Sequence, residues 1–270
     1  MRIQPKKSLG QNFLVDQNIR NKIVGSLALQ DTDIVFEIGA GRGELTGLIA
    51  RKAGKVYALE IDSRLQKCLA DSLSGCGNAK IVNQDILRFD LGRFIKEERI
   101  KSKVKVFGNI PYYISSPIIA HLLGFHKAIS EIFITTQKEF AARLAACPGN
   151  KDFGSFSCFT QYYASPKILF GISRNCFKPS PKVDSSFLKL KIRETPGVSV
   201  EDEGLFFKIV RSAFGKRRKT LRNSLWGVVL PEALSEFFAK TSLEINIRPE
   251  DLTLGDFALL ANLQFSIKKT

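Results

Sequence analysis

The chain predicts an α/β fold: a mostly parallel sheet with an antiparallel edge hairpin, followed by a small C-terminal α-helical domain. Three observations carry this expectation. From about residue 17 to about residue 140, apolar strand-like runs alternate with helical patterns. The first run closes in a glycine-rich turn, Glu37-Ile38-Gly39-Ala40-Gly41-Arg42-Gly43. After Glu194-Thr195-Pro196-Gly197 the strand-like runs stop and only helical patterns continue. Strand and helix in strict alternation imply right-handed βαβ units, hence a parallel sheet covered on both faces.

Taken in order, Asp16 is placed to cap a helix whose apolar face is Ile19, Ile23, Val24 and Leu27. Strands are expected at residues 34–38, 56–61, 79–83, 104–107 and 131–135, with helices between them, for example over 63–73 and 116–123. Two later runs, 167–173 and 185–192, read as the edge hairpin, joined by a long loop containing Phe177-Lys178-Pro179-Ser180-Pro181. Beyond the linker, residues 205–214, 220–229, 231–240 and 254–263 read as short helices. The expected domains are 1–193, including an N-terminal arm, and 198–270.

Composition narrows the class. A hydrophobic fraction of 44% and a charged fraction of 25% are ordinary for a globular protein. The net charge of +15, from 41 Lys and Arg against 26 Asp and Glu, points to a polyanionic partner, of which nucleic acid is the commonest. Five cysteines are scattered without a CxxC pair, and the chain has 2 histidines, so no zinc-site spacing exists and no metal is expected. The Met1-Arg2-Ile3-Gln4-Pro5-Lys6-Lys7 start lacks the apolar centre of a signal peptide, and no run approaches spanning length. A cytoplasmic protein without a membrane partner is the expectation.

The glycine turn departs from a dinucleotide fingerprint, because the position for the third glycine of G-x-G-x-x-G is Glu44. It also lacks the Gly-Lys-Ser/Thr ending of a phosphate-binding loop. E-x-G-x-G-x-G instead resembles the loop of S-adenosylmethionine-dependent methyltransferases, whose cofactor has no pyrophosphate to cradle. Glu60, about twenty residues on at the end of the second strand, is placed to accept both hydroxyls of a ribose. Asp85, after the third strand, is placed to accept from an adenine amino group. Carboxylates at successive strand ends beside a glycine loop mark the crevice in which open α/β sheets bind ligands.

Asn109-Ile110-Pro111-Tyr112 follows the apolar run 104–107 and stiffens a loop at a strand end, since Pro111 fixes its own backbone and restricts Ile110. The Asn109 amide oxygen and the Ile110 carbonyl can converge on a planar NH2 group while Tyr112 stacks on the ring that carries it. Adenine, cytosine or a glutamine amide would satisfy that arrangement.

Several motifs occur in a fixed order: Ser8-Leu9-Gly10-Gln11-Asn12-Phe13-Leu14, the glycine loop, Glu60, Gln84-Asp85-Ile86-Leu87, Asn109-Ile110-Pro111-Tyr112, Phe177-Lys178-Pro179-Ser180-Pro181-Lys182-Val183 and Arg217-Arg218-Lys219-Thr220-Leu221-Arg222-Asn223-Ser224-Leu225. Together they closely resemble the ribosomal RNA adenine N6-dimethyltransferase family over nearly the whole chain. The likeness is greatest to the small-subunit type, which modifies two adjacent adenosines near the rRNA 3′ end. The resemblance implies a Rossmann-like domain that binds S-adenosylmethionine. Asn12 and Leu14 would contact the amino-acid and sulfonium end, with Gly39 and Gly41 of the loop beside them. Glu60 with Ile61 would hold the ribose, Asp85 and Ile86 the adenine, and Asn109 would border both the methyl group and the target amine. Two positions stand apart: Ala40 lies where many relatives carry proline, and Tyr113 reads as a core aromatic.

On this reading the target base leaves its stack and is held between Tyr112 and Phe177, Phe177 standing on a stiff, exposed loop. Lys216, Arg217, Arg218, Lys219 and Arg222 would grip the RNA backbone from a helix start, with Arg2, Lys6 and Lys7 extending the surface. The expected partner is small-subunit rRNA in a pre-30S particle, bound by a monomer. Two alternatives stay open: a large-subunit rRNA adenine methyltransferase of the macrolide-resistance type, and an RNA-binding ribosome-assembly factor with non-essential catalysis.

Overall fold

The computed structural model describes residues 4–6, 9–216 and 218–269. In chain order, a two-residue strand β1 (Phe13–Leu14) precedes α1 (Gln17–Ser26), β2 (Ile34–Ile38), α2 (Glu44–Ala50), β3 (Lys55–Leu59), α3 (Gln66–Leu73), β4 (Ala79–Val82), α4 (Leu91–Glu97), β5 (Val104–Asn109), α5 (Ser115–Gly124) and β6 (Ile129–Gln137). The chain continues through α6 (Lys138–Ala145), α7 (Ser155–Tyr163), β7 (Ala164–Ile172), β8 (Phe177–Lys178) and β9 (Ser185–Ile192). It ends in α8 (Glu203–Gly215), α9 (Leu221–Ser224), α10 (Pro231–Thr241) and α11 (Leu254–Lys269). No helix among the described residues is long and apolar enough to cross a membrane.

Seven strands form one sheet in the order β4-β3-β2-β5-β6-β9-β7. The ladders β4·β3, β3·β2, β2·β5 and β5·β6 are parallel, and β9 runs antiparallel to β6. From β2 the chain steps outward to β3 and β4, then returns to the opposite side of β2 as β5. That reversal opens a crevice at the carboxyl ends of β2 and β5, the usual ligand position in such sheets. Alternation along the strands sorts the two faces. Val35, Val56, Phe107, Phe133 and Phe187 pack with Ile23, Val24 and Leu27 of α1 and Leu45 and Ile49 of α2. Phe36 and Tyr57 face the other way, where their stacked rings, 4.8 Å apart, meet Phe89 and Phe94. Asp16 caps α1 through a 2.9 Å bond from the Ile19 amide, as its position predicts, a contribution of about 1 kcal/mol.

The chain divides into two compact units. The first runs through Ala141 and includes Lys167–Ile192; the second comprises Ala142–Pro166 and the residues from Arg193 on. This differs from a division at 193. Residues 142–166 cluster with the helical unit because α7 supplies part of its core: Cys158 and Tyr162 pack with Phe206, Phe207 and Val210 of α8, and with Phe257 and Ala261 of α11. The second unit is otherwise helical, and the helix expected over 220–229 is limited to the four residues of α9. Both histidines serve packing. The His121 Nε2–H donates to the Phe89 carbonyl (2.9 Å), and the His126 Nδ1–H donates to that of Leu123 (3.0 Å).

Candidate active site

The parallel register ends β2, β3 and β5 side by side and so fixes what meets in the crevice. Gly39 follows β2, Glu60 and Ile61 follow β3, Gln84, Asp85 and Ile86 follow β4, and β5 ends at Asn109. These residues line a single cleft in the first unit, together with Leu9, Gly10, Gln11, Asn12 and Phe13 of the arm. Ile110, Pro111, Tyr112 and Tyr113 complete its rim.

The glycine loop turns through positive φ at Gly39, Gly41 and Gly43 (70°, 62° and 84°). At Gly43 even the space is reserved, since a β-carbon would stand 2.9 Å from Leu69 Cδ1 and 3.0 Å from Ser72 Oγ. The loop's amides are not offered to a ligand. Those of Gly39 and Ala40 donate to the Leu59 carbonyl (2.9 and 3.1 Å), and that of Gly41 donates to Glu60 Oε2 (2.8 Å). A pyrophosphate would therefore meet no free nest of N–H groups here.

What the cleft offers instead is acceptors. Glu60 is 4% exposed, with Oε2 bonded to the Gly41 amide and Oε1 to that of Asp62 (2.8 Å each). Burial raises its carboxyl above the ordinary range, against hydrogen bonds from the backbone of Asp62, Gly41 and Ile61. A carboxylate has about four lone-pair sites, so Glu60 keeps acceptor capacity for a hydroxyl donor. Asp85 uses Oδ1 to cap the next turn at Leu87 N (3.0 Å) while standing on the cleft wall. A ligand bearing ribose hydroxyls, an aromatic amine and a cationic sulfonium matches this acidic, phosphate-averse lining. S-adenosylmethionine fits it: Glu60 and Asp85 would hold the nucleoside, and Asn12 and Gly39 flank the other end.

Glu37, beneath the loop, is 2% exposed, with one carboxylate oxygen lacking a partner. Burial pushes its pKa up to about 8, the Glu60 and Glu44 charges adding to the effect. The carboxyl is held largely neutral at physiological pH.

Asn109 has its amide orientation fixed. Its Nδ2 donates to the Asn12 carbonyl (3.0 Å), which turns Oδ1 the other way as an acceptor. No donor among the described residues reaches the Ile110 carbonyl. Tyr112 is held by a 2.5 Å bond between its hydroxyl and Ser185 Oγ, and burial raises its phenol above the usual value.

Three residues expected at this site lie elsewhere, and one ladder accounts for two of them. β1 and β8 pair antiparallel as a two-stranded sheet, with Leu14 opposite Phe177 and Phe13 opposite Lys178. Residues directly opposite share a face. Leu14 and Phe177, 5% and 3% exposed, point together into the core beside Phe133 and Phe187, while Phe13 turns to the cleft. The exposed-loop expectation for Phe177 is thus corrected, and with it the sandwich of Tyr112 and Phe177. Gly41 also stands behind the wall: its amide is spent on Glu60, and a β-carbon there would lie 3.2 Å from the Phe13 ring. Tyr113, expected in the core, is 63% exposed at the rim, where a β-carbon at Gly10 would touch its ring at 3.0 Å.

Sequence reasoning missed the device that pins the arm. Gln11 Nε2 donates to Asp62 Oδ2 (2.9 Å), and Gln11 Oε1 accepts from the Lys6 amide (2.8 Å). Arg64 beside Asp62, with Gln11, holds that carboxyl far below the ordinary range. A carboxylate two residues after Glu60 was the available signal.

In the second unit, Lys216, Arg218, Lys219 and Arg222 are all exposed, and Arg217 lies outside the described residues, as do Arg2 and Lys7. The described cations do not open a helix as expected. α8 ends at Gly215, Arg218 adopts a φ of 69°, and α9 begins only after the Thr220 cap, so that among the described cations Arg222 alone is on a helix.

Comparison with known proteins agrees with this geometry. The chain is 44% identical over 259 residues to ribosomal RNA small subunit methyltransferase A of Alkaliphilus oremlandii, covering 95% of this chain and 90% of that one. It is likewise 44% identical over 263 residues to the protein of that name from Streptococcus gordonii, covering 95% and 91%. Among solved structures, a dimethyladenosine transferase from Plasmodium falciparum superposes with a TM-score of 0.78 at 25% identity, over 95% of this chain and 98% of that one. The 23S rRNA methyltransferase ErmE does so with a TM-score of 0.74 at 25% identity, over 94% and 100%. The profile of the ribosomal RNA adenine dimethylases matches residues 2–264, and the chain belongs to that family.

Proposed function

We propose that the protein dimethylates N6 of two adjacent adenosines near the 3′ end of small-subunit rRNA, acting as a monomer on a pre-30S particle in the cytoplasm. S-adenosylmethionine supplies an electrophilic methyl group whose departure leaves a neutral thioether. The observation that carries the reading is the pair of acceptors at the end of β5. Asn109 Oδ1 is turned by the Asn12 bond, and the Ile110 carbonyl lacks a protein donor among the described residues.

Adenine N6 is a poor nucleophile because its lone pair is delocalised into the ring. Two acceptors that engage both N6 protons favour a more tetrahedral nitrogen and aim its lone pair along the line of displacement. Positive charge developing on N6 as it accepts the methyl group would lie beside these two oxygens. The proton leaves to solvent afterwards, so no strong base is needed. After the first transfer one N6 proton remains, and one acceptor suffices to orient the amine. Tyr112 offers one stacking face, fixed by Ser185, and the exposed ring of Tyr113 at the rim takes the place first expected of Phe177. Lys216, Arg217, Arg218, Lys219 and Arg222 neutralise phosphates of the RNA.

The higher identity to relatives named for the small subunit, 44% against 25% for ErmE, favours the small-subunit substrate over the large-subunit alternative. The intact Glu60, Asp85 and Asn109 acceptors support chemistry over a purely structural assembly role. Incubation with labelled S-adenosylmethionine and either immature 30S particles or naked 23S rRNA tests this. Label at two adjacent adenosines of the 30S RNA is expected; label confined to 23S rRNA overturns the proposal.

A further inference from the structure

The second unit contains a groove that the methyl-transfer reading does not use. Its floor is Val229, Leu234 and Phe238, and Trp226, Leu230 and Ile245 stand along it 77%, 37% and 62% exposed. An indole that open is a poor core residue and a ready platform for a planar ring. Arg222 and Lys268, both exposed, lie in the same lining, which contains no acidic residue among the described ones.

One polar group gives the groove its chemistry. Gln264 of α11 is 0% exposed and reaches the groove wall. Its Oε1 accepts from the Leu230 amide (2.7 Å), which fixes the orientation of the side chain, while Nε2 is buried with no acceptor among the described residues. A buried donor without a partner is costly, and an incoming carbonyl or ring nitrogen would remove that cost. A flat apolar platform, a fixed NH2 donor and two cations without opposing acids match one kind of occupant. The ring stacks, the acceptor edge meets the amide, and the phosphates meet the cations.

We propose that this groove captures an unpaired nucleobase of the substrate RNA, stacked on Trp226 and read by Gln264 Nε2, with Arg222 and Lys268 on the flanking phosphates. The inference rests on the RNA-substrate reading and adds a second base contact, distinct from the target adenosine's cleft. It makes binding depend on a base and not on backbone charge alone.

Trp226 is the chain's 1 tryptophan, so its emission reports the site directly. The test titrates the full chain with decauridylate and with an abasic ribose-phosphate decamer of equal charge. Saturable quenching by decauridylate and none by the abasic decamer is the expected result. By anisotropy of a labelled decamer, Trp226→Ala should weaken binding about tenfold or more, while Trp226→Phe retains most of it. Gln264→Glu keeps an acceptor for the Leu230 amide but removes the NH2 donor, and should also weaken binding about tenfold. Circular dichroism confirms that each variant is folded. Equal quenching by the abasic decamer, or unchanged affinity of Trp226→Ala, overturns the proposal. So does emission that changes with protein concentration in the absence of RNA, which assigns the groove to a second copy of the chain. Methylation of 30S particles by the unaltered protein is scored separately. Particle methylation without quenching fails this inference alone, and quenching without particle methylation fails the substrate reading alone.

Discussion

The cleft of the first unit and the basic surface of the second handle charge in opposite ways. In the first unit carboxylates are buried: Glu60, on the cleft wall, is 4% exposed with both oxygens bonded to backbone amides, and Glu37, beneath the glycine loop, is 2% exposed with one oxygen lacking a partner. In the second unit, Lys216, Arg218, Lys219 and Arg222 stand in water on a turn and a single short helix. Buried charges are sensitive to protonation and to local geometry, because little water screens them. Exposed charges act collectively and are screened within about 8–10 Å at ordinary ionic strength. The cleft is therefore a pH-dependent instrument of position, and the basic surface is a salt-dependent instrument of attraction.

The sharpest way to break this contrast is through Glu37. Its folded pKa, about 8, stands above the ordinary 4.5. The folded state therefore holds the proton more tightly, and the stability this contributes is lost as pH rises from about 4.5 through 8. Glu37→Gln, neutral throughout, should match the parent near pH 5 and exceed it increasingly up to pH 8, by at most about 5 kcal/mol, at 1.36 kcal/mol per pKa unit. Thermal unfolding of both proteins across that range measures the gap; a constant gap would mean that Glu37 is ionised in the fold.

Next in size is Asn109→Ala. Removing one of the two acceptors should lower methylation about 100- to 1000-fold, as loss of a preorganised polar group does in other transferring sites. Cofactor affinity, measured by calorimetry, should fall far less, because Glu60 and Asp85 are untouched. Equal losses in both would make Asn109 a cofactor ligand only.

The smallest effect belongs to the exposed cations. Replacing Arg218, Lys219 and Arg222 by alanine should flatten the dependence of log affinity on log salt by about 0.7 for each phosphate no longer neutralised, if the RNA is single-stranded there. The fold should stay intact, since surface substitutions of this kind change stability by about 0.5 kcal/mol or less. An unchanged salt slope would remove these residues from the RNA interface.

Most of the sheet was legible because its central strands are largely buried and announce themselves as apolar runs. Residues 34–38 and 185–192 match β2 and β9 end for end. Glu60, Asp85 and Asn109 were legible for the same reason: a strand end locates its next residue. What stayed hidden depends on packing partners distant in sequence. Two-residue strands such as β1 and β8 carry no periodicity, so the pairing of Leu14 with Phe177 had no local trace, and the burial of the Phe177 ring went unforeseen. The membership of α7 in the helical unit has the same origin, its partners Phe206 and Phe207 lying some forty residues on. Prolines around residue 180 marked a loop, which the structure has over 179–184, but said nothing of where the aromatic before it would point.

The ties of Glu60 reach further than the cleft wall. One carboxylate holds the amides of Gly41 and Asp62, and Asp62 in turn holds Gln11 of the arm. Three stretches of chain are thereby geared to a single side chain of two methylenes. Their amides should behave as one clock in hydrogen exchange: whatever event frees Gly41 to solvent should free Asp62 with it and loosen the arm in the same step. A hydrogen-exchange event in the arm would then be not a local fraying but a coordinated release, with Glu60 as its pawl.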